Sequence, residues 1–233
     1  MRFERVIALT AGMALMLILG GCQGSTREER LARIRGVHGK DAAGGGSVAA
    51  VQLSAGAQLY RARTCNTCHG DDGIKTLLPN YPIIARQGQE YALRQMKDIQ
   101  SGSRSNGQSA AMKAVIQGLS EEDMVVLADY IANELGGEAP VGTGVVDPDS
   151  PGAKLFKTRT CLACHGADGK TPILPDYPRI AGHPAEYALQ QMRDVKSGAR
   201  ANSMAVLGMQ GVMHLVNDEE MAQLADYIST LPR

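Results

Sequence analysis

Tryptophan is absent from this chain of 233 residues, and aromatic residues of every kind make up only 4% of it. Two phenylalanines and seven tyrosines are thin material for a packed core, because aromatic side chains supply much of a small domain's buried area. Charge of one sign is lacking as well: 24 basic residues balance 24 acidic ones. Nothing in that balance argues for nucleic acid or another polyanion as a partner, and no nucleic acid is expected. The longest apolar run, residues 6–19, falls short of the ~20 residues that a membrane-spanning helix needs. No stretch alternates apolar and polar residues convincingly, so strands are not expected. Cysteine occurs five times, an odd number that cannot pair off completely.

Four of the five cysteines stand in a repeat. "RTCNTCHGDDG", from Arg63, returns as "RTCLACHGADG", from Arg159, 96 positions later. The register extends far beyond it: residues 56–104 align with 152–200, and 112–135 with 209–232 after one inserted residue. Tyr60 pairs with Phe156, Tyr81 with Tyr177, Tyr91 with Tyr187 and Tyr130 with Tyr227, which leaves only Phe3 without a counterpart. The chain is therefore read as two duplicated domains, residues 51–136 and 150–233, joined by a Pro- and Gly-containing linker over 137–149.

The fifth cysteine ends the export signal. Arg2 and Arg5 precede the apolar run, and "LGGC", Leu19 to Cys22, closes it. This resembles a bacterial lipoprotein signal: residues 1–21 are removed and Cys22 carries the lipid at the new N-terminus. The alternative is an ordinary signal peptide cut near Gly24, with Cys22 discarded. Gln23 in place of Asp points, by analogy, to the outer membrane. Either way the mature protein works outside the cytoplasm. Residues 22–50, with "AAGGGS" near their end, read as a flexible tether.

Each copy is expected to be all-α, with three main helices. Ser54 and Ser150 are N-cap candidates before the cysteines. A middle helix starts near Glu90 and stops at Gly102, or Gly198 in the second copy. The last helix opens on Ser120 and Asp123, or Asn217 and Glu220, as capping pairs. Its apolar residues, Met124, Leu127, Ala128 and Ile131, share one face, and Met221, Leu224, Ala225 and Ile228 repeat the pattern.

Cys-x-x-Cys-His now has a chemical reading. On a helical turn, residues at i and i+3 share a face. Cys65 and Cys68, and Cys161 and Cys164, thus present paired thiols, with His69 and His165 adjacent. Two thiols can form thioethers to the two vinyl groups of a haem while the imidazole ligates its iron, and this spacing is the signature of c-type haem attachment. A structural zinc site needs four ligands, and no fourth Cys or His lies conveniently close. A thioredoxin-like redox pair follows a strand, and none is expected. Two covalent haems also answer the aromatic shortage, because domains this small need a cofactor or staple to complete a core.

The sixth iron ligand decides between open and closed chemistry. Methionine recurs in three columns, of which Met96 with Met192 and Met124 with Met221 lie on apolar helix faces and read as core filler. Met112 and Met209, just ahead of the last helix, are the candidate axial ligands, with Met204 and Met213 as competitors in the second copy. Arg104 and Arg200, paired after the middle helix, are candidate partners for haem propionates; the alternative is that both are simply exposed. His38 and His214 have no counterpart in the other copy and read as non-ligands, and Arg86 and His183 as surface or packing variants.

The two CxxCH motifs, "YPIIARQGQEYALRQMKDIQSGSR" with "YPRIAGHPAEYALQQMRDVKSGAR", the Met columns and the terminal "LADYI" helices together resemble the dihaem class I cytochromes c, specifically the cytochrome c4 family. The resemblance covers residues from about 51 to 233. It implies two tandem class I cytochrome c domains about a pseudo-twofold axis, two covalent haem c groups, and an electron carrier rather than an enzyme. Pro82 and Pro178 correspond to the family's proline whose carbonyl accepts from the proximal imidazole. The donor it implies is a quinol:cytochrome c reductase or a dehydrogenase, and the acceptor a terminal oxidase, in the periplasm. A fixed dihaem subunit of a larger dehydrogenase or respiratory complex is the alternative. A dihaem peroxidase needs a longer chain and an accessible iron.

Overall fold

The computed structural model describes residues 52–137, 142 and 144–233. Residues 1–51, over which a signal peptide and a tether are expected, with Cys22 and His38, and part of the expected linker lie outside the described residues. Among those described there are ten helices and no strand, and the two halves repeat one order. In the first domain, α1 spans Ala55–Ala62, α2 Cys65–His69, α3 Gln89–Ser101, α4 Ser109–Ile116 and α5 Glu121–Asn133. In the second, α6 spans Pro151–Thr158, α7 Cys161–His165, α8 Ala185–Ser197, α9 Met204–Met213 and α10 Asp218–Thr230.

Local signals set these boundaries. The Ser54 and Ser150 hydroxyls accept from the backbone N–H of Ala57 and Ala153 at 3.2 Å, each cap supporting its helix by about 1 kcal/mol. Ser120 with Asp123, and Asn217 with Glu220, form complete capping boxes at the starts of α5 and α10. Helix α3 ends because Gly102 takes a left-handed conformation at φ 90°, and α8 ends the same way at Gly198.

Packing follows from the apolar faces. Helix α5 lies against α1 and α3, and α10 against α6 and α8. Met124, Leu127, Ala128 and Ile131 are buried on α5, as are Met221, Leu224, Ala225 and Ile228 on α10. Met96 and Met192 are buried in the same cores, in keeping with their reading as filler. The α1–α5 crossing is close enough that a Cβ added at Gly56 would stand 2.3 Å from Tyr130 Cβ. At Gly152, in the α6–α10 crossing, it would stand 2.1 Å from the Gln223 carbonyl oxygen. Beside each crossing, the Tyr60 and Tyr130 rings lie 5.6 Å apart and Phe156 and Tyr227 5.5 Å apart.

Two elements per domain exceed the three expected from sequence. The CxxCH segments are single helical turns, each entered through a threonine, Thr64 or Thr160, at φ 55° or 59°. A β-branched residue in this left-handed region is strained, and the strain recurs at the same place in both copies. The segments carrying Met112 and Met209 are also helical, as α4 and α9.

Candidate functional site

Each domain encloses a cavity whose walls come from the CxxCH turn, the middle helix and the methionine-bearing helix. In the second domain it measures ≈ 300 Å³, and Cys161, Cys164, His165, Met209 and Arg200 line it. In the first domain a cavity of ≈ 340 Å³ is lined by Cys65, Cys68, His69, Met112 and Arg104, and a smaller one of ≈ 90 Å³ shares Cys65, His69, Met112 and Arg104 with it. These volumes suit an extended, mostly apolar ligand.

The imidazoles are held in one orientation. His69 Nδ1 lies 3.1 Å from the Pro82 carbonyl oxygen, and His165 Nδ1 lies 3.1 Å from that of Pro178. With Nδ1–H donating to the carbonyl, Nε2 remains for a metal. Burial pushes both histidines below the ordinary imidazole value, and the proline carbonyls offset this only in part. For His165 the charge of Arg200 adds to the depression. Both rings are thus neutral near pH 7, the form that binds metal.

All four CxxCH thiols are unpaired, so none is lost to a disulfide. Burial raises Cys65 and Cys161 to about 11, which keeps them as protonated thiols at neutral pH until they are alkylated. Paired thiols at helical spacing, a neutral imidazole presenting Nε2 and an apolar cavity beside them fit a covalently bound haem in each domain.

Between the cavities lies a buried polar seam built from both domains. Arg104 Nη1 donates to Gln95 Oε1 at 2.9 Å, and its Nη2 crosses to Gln191 Oε1 at 3.0 Å and to the Tyr187 hydroxyl at 3.5 Å. Arg200 mirrors this, donating to Gln191 Oε1 at 2.9 Å and crossing to the Tyr91 hydroxyl at 3.1 Å and Gln95 Oε1 at 3.2 Å. Asn106 and Asn202 reach across to Asp194 and Asp98, each at 2.6 Å. Burial alone would raise the Tyr91 phenol, but the Arg200 and Arg104 charges outweigh it and hold it below its ordinary value. Arg104 and Arg200 are both buried, so the alternative that they are merely exposed does not hold.

The candidate methionines differ in burial. Met112 and Met209 are half-buried and line the cavities. Met204 is 81% exposed and points away from the core. Met213 lines the second cavity too, but it is buried in the hydrophobic cluster of that domain. His214 is exposed, whereas His183 is buried, packed against Tyr187 with ring centroids 4.9 Å apart and the rings tilted by 45°, and its Nε2 lies 3.1 Å from Arg233 Nη2. Burial, with the charge of Arg233, holds His183 well below its ordinary value. Arg86 donates to the Gly137 carbonyl through Nε at 2.9 Å, so its guanidinium braces the end of the first domain. The sequence offered no sign of the cross-domain partners: Gln95, Gln191, Tyr91 and Tyr187 looked like ordinary residues of an amphipathic helix.

A Cytochrome c family model matches residues 53–134 and again residues 150–232. Cytochrome c4 of Pseudomonas aeruginosa is 30% identical over 186 residues, covering 76% of this chain and 88% of that protein. A thiosulfate dehydrogenase electron acceptor of Stutzerimonas stutzeri is 29% identical over 178 residues, covering 73% and 80%. Among solved structures, reduced recombinant cytochrome c4 from Pseudomonas stutzeri superposes with a TM-score of 0.64 at 28% identity, covering 77% of this chain and 98% of that one.

Proposed function

The chain belongs to the cytochrome c family and, within it, to the dihaem cytochromes c4, and we propose that it shuttles electrons between respiratory-chain components from a lipid anchor on the periplasmic side of a membrane. Dihaem electron transfer is common ground with its relatives; the anchor, the terminal oxidase as acceptor and a quinol:cytochrome c reductase or dehydrogenase as donor are the further steps proposed. The observation that carries this reading is the duplication of one complete site, with thiol pair, oriented imidazole and methionine in each cavity. Each haem supplies a one-electron Fe(III)/Fe(II) couple when bound.

The protein's own residues do the rest. Cys65, Cys68, Cys161 and Cys164 would fix the groups covalently, and Pro82 and Pro178, which orient His69 and His165, would leave the Nε2 atoms to ligate iron. Met112 and Met209, which line the same cavities, would supply the second protein ligand to each iron, and such ligation would close the irons to small molecules and raise their potentials. Arg104 and Arg200 would meet the propionates: their own hydrogen bonds go to amide and phenol oxygens and none to a carboxylate among the described residues, the buried Asp194 acting on Arg200 only through space, so both retain room for an anionic partner.

The resemblance to thiosulfate dehydrogenase electron acceptors favours a second reading, in which the chain takes electrons from one dehydrogenase in a stable complex. Purification from native membranes decides. A free carrier leaves without a stoichiometric enzyme and, once reduced, is reoxidised by oxidase-containing membranes; a fixed subunit co-purifies with its dehydrogenase. Anchoring is tested by Cys22→Ser, which is expected to move the protein to the soluble periplasmic fraction, since acyl chains are what hold it. Retention in the membrane fraction with the signal removed means that a protein partner holds it.

A further inference from the structure

The middle helices are exchanged between sites: Tyr91, Arg94 and Gln95 of α3, in the first domain, line the second domain's cavity, while Gln190 and Gln191 of α8 line the first domain's. The exchange is symmetric in backbone but not in charge. Arg94 Nη1 donates across the interface to Asp176 Oδ2 at 3.1 Å, and both residues line the second cavity. The corresponding positions on the other side are Gln190 and Asn80, both neutral, and both line the first cavity. There the cross-domain contact is not made: Gln190 turns to Asp194 Oδ1 at 2.7 Å, and Asn80 Oδ1 is buried without a hydrogen-bond partner. Arg94 does not line either cavity of its own domain.

We propose that Arg94, though carried by the first domain, tunes the reduction potential of the second domain's haem and so helps to make the two haems unequal. The inference rests on each cavity holding one haem. Asp176 sets a carboxylate in the wall of the second cavity, which disfavours the extra electron of the ferrous state. Arg94 neutralises that carboxylate from the neighbouring domain, and also lies 3.9 Å from Asp98. The pair is partly exposed, with side chains 42% and 32% accessible, so water and salt weaken but do not abolish its field.

The test is a redox titration of the dihaem holoprotein followed by NMR, in which haem methyl resonances report each haem separately. Arg94→Gln, which installs the residue found at position 190, is expected to lower the reduction equilibrium constant of the second haem by roughly three- to tenfold and leave the first unmoved. The shift shrinks at high ionic strength. Arg94→Lys keeps the charge and the wild-type potentials, Asp176→Asn raises the second haem, and Gln190→Arg raises the first. Movement of the first haem in Arg94→Gln, equal movement of both, or no movement with two haems still bound overturns the proposal. Loss of a haem in both Arg94→Gln and Arg94→Lys overturns it too, because it makes Arg94 a residue required for folding.

Discussion

At the scale of single residues, the methionines give the sharpest test. Met112 and Met209 line cavities that also hold the CxxCH histidines, Met204 is exposed, and Met213 is core that touches the same cavity. A thioether bound to low-spin ferric haem gives a weak charge-transfer absorption that disappears when sulfur leaves. Met112→Ala is expected to remove about half of that band and to open the first haem to carbon monoxide, and Met209→Ala to do the same for the second. Met204→Ala leaves both haems as they were. Met213→Ala costs about 2–5 kcal/mol of stability, as deletion of a buried methionine does, but keeps the band. If Met213→Ala abolishes the band and Met209→Ala does not, the two pockets use different ligands despite their shared sequence register. The CxxCH residues and the methionine columns were legible in sequence because a covalent motif and a duplication leave linear traces. His183 was not: it stands where the first copy has Gln87, and nothing in its neighbours along the chain announces that Tyr187 and Arg233 enclose it.

At the scale of elements, the three main helices of each domain were readable because each carries a cap or a one-sided apolar face. Helix α4 carries no side-chain cap, and α9 has one, Ser203 accepting from the Val206 N–H at 3.2 Å, but neither shows a one-sided apolar pattern. "SAAMKAVI" is apolar or small nearly all round, and α9 contains Gly208 and Gly211, which depress helix propensity. Their helical state comes from packing against α3 and α8, a tertiary effect that local sequence does not encode. Glycines in this fold therefore fall into two kinds with opposite consequences. At Gly152 an added Cβ would stand 2.1 Å from the Gln223 carbonyl oxygen and 2.6 Å from Tyr227 Cβ, so α6 would have to move away from α10. Gly152→Ala is expected to cost about 2–3 kcal/mol and lower the thermal midpoint of the holoprotein. At Gly211, exposed on α9, an added Cβ meets nothing within 4 Å, and the first copy has Ala114 at this position. Gly211→Ala is expected to stabilise by about 0.5–1 kcal/mol, measured in the same melt. A drop of similar size for both variants contradicts this division.

At the scale of the whole molecule, the governing fact is that two domains built on one duplicated pattern meet through a seam of buried polar groups. An apolar interface buries area without caring about charge, whereas this one sets two guanidiniums between two redox centres. Two buried cations that hydrogen-bond only to neutral oxygens among the described residues, with Asp194 offsetting Arg200 through space, are stabilised further if an anion joins them, and each haem brings two carboxylates that the sequence charge omits. The sequence could pair Arg104 with Arg200 by register but could not show that each reaches into the other domain, because cross-domain contacts leave no local pattern. Replacing both by glutamine removes positive charge from beside both haems, and a nearby positive charge favours the ferrous state, so both reduction potentials are expected to fall. This differs in kind from Arg94→Gln, whose effect is confined to one haem. Because the guanidiniums are buried, the shift should persist at high ionic strength, where the effect of the partly exposed Arg94–Asp176 pair shrinks. Potentials that stay put in the doubly substituted protein, with both haems still attached, would leave Arg104 and Arg200 as struts of the domain interface and remove their role at the propionates.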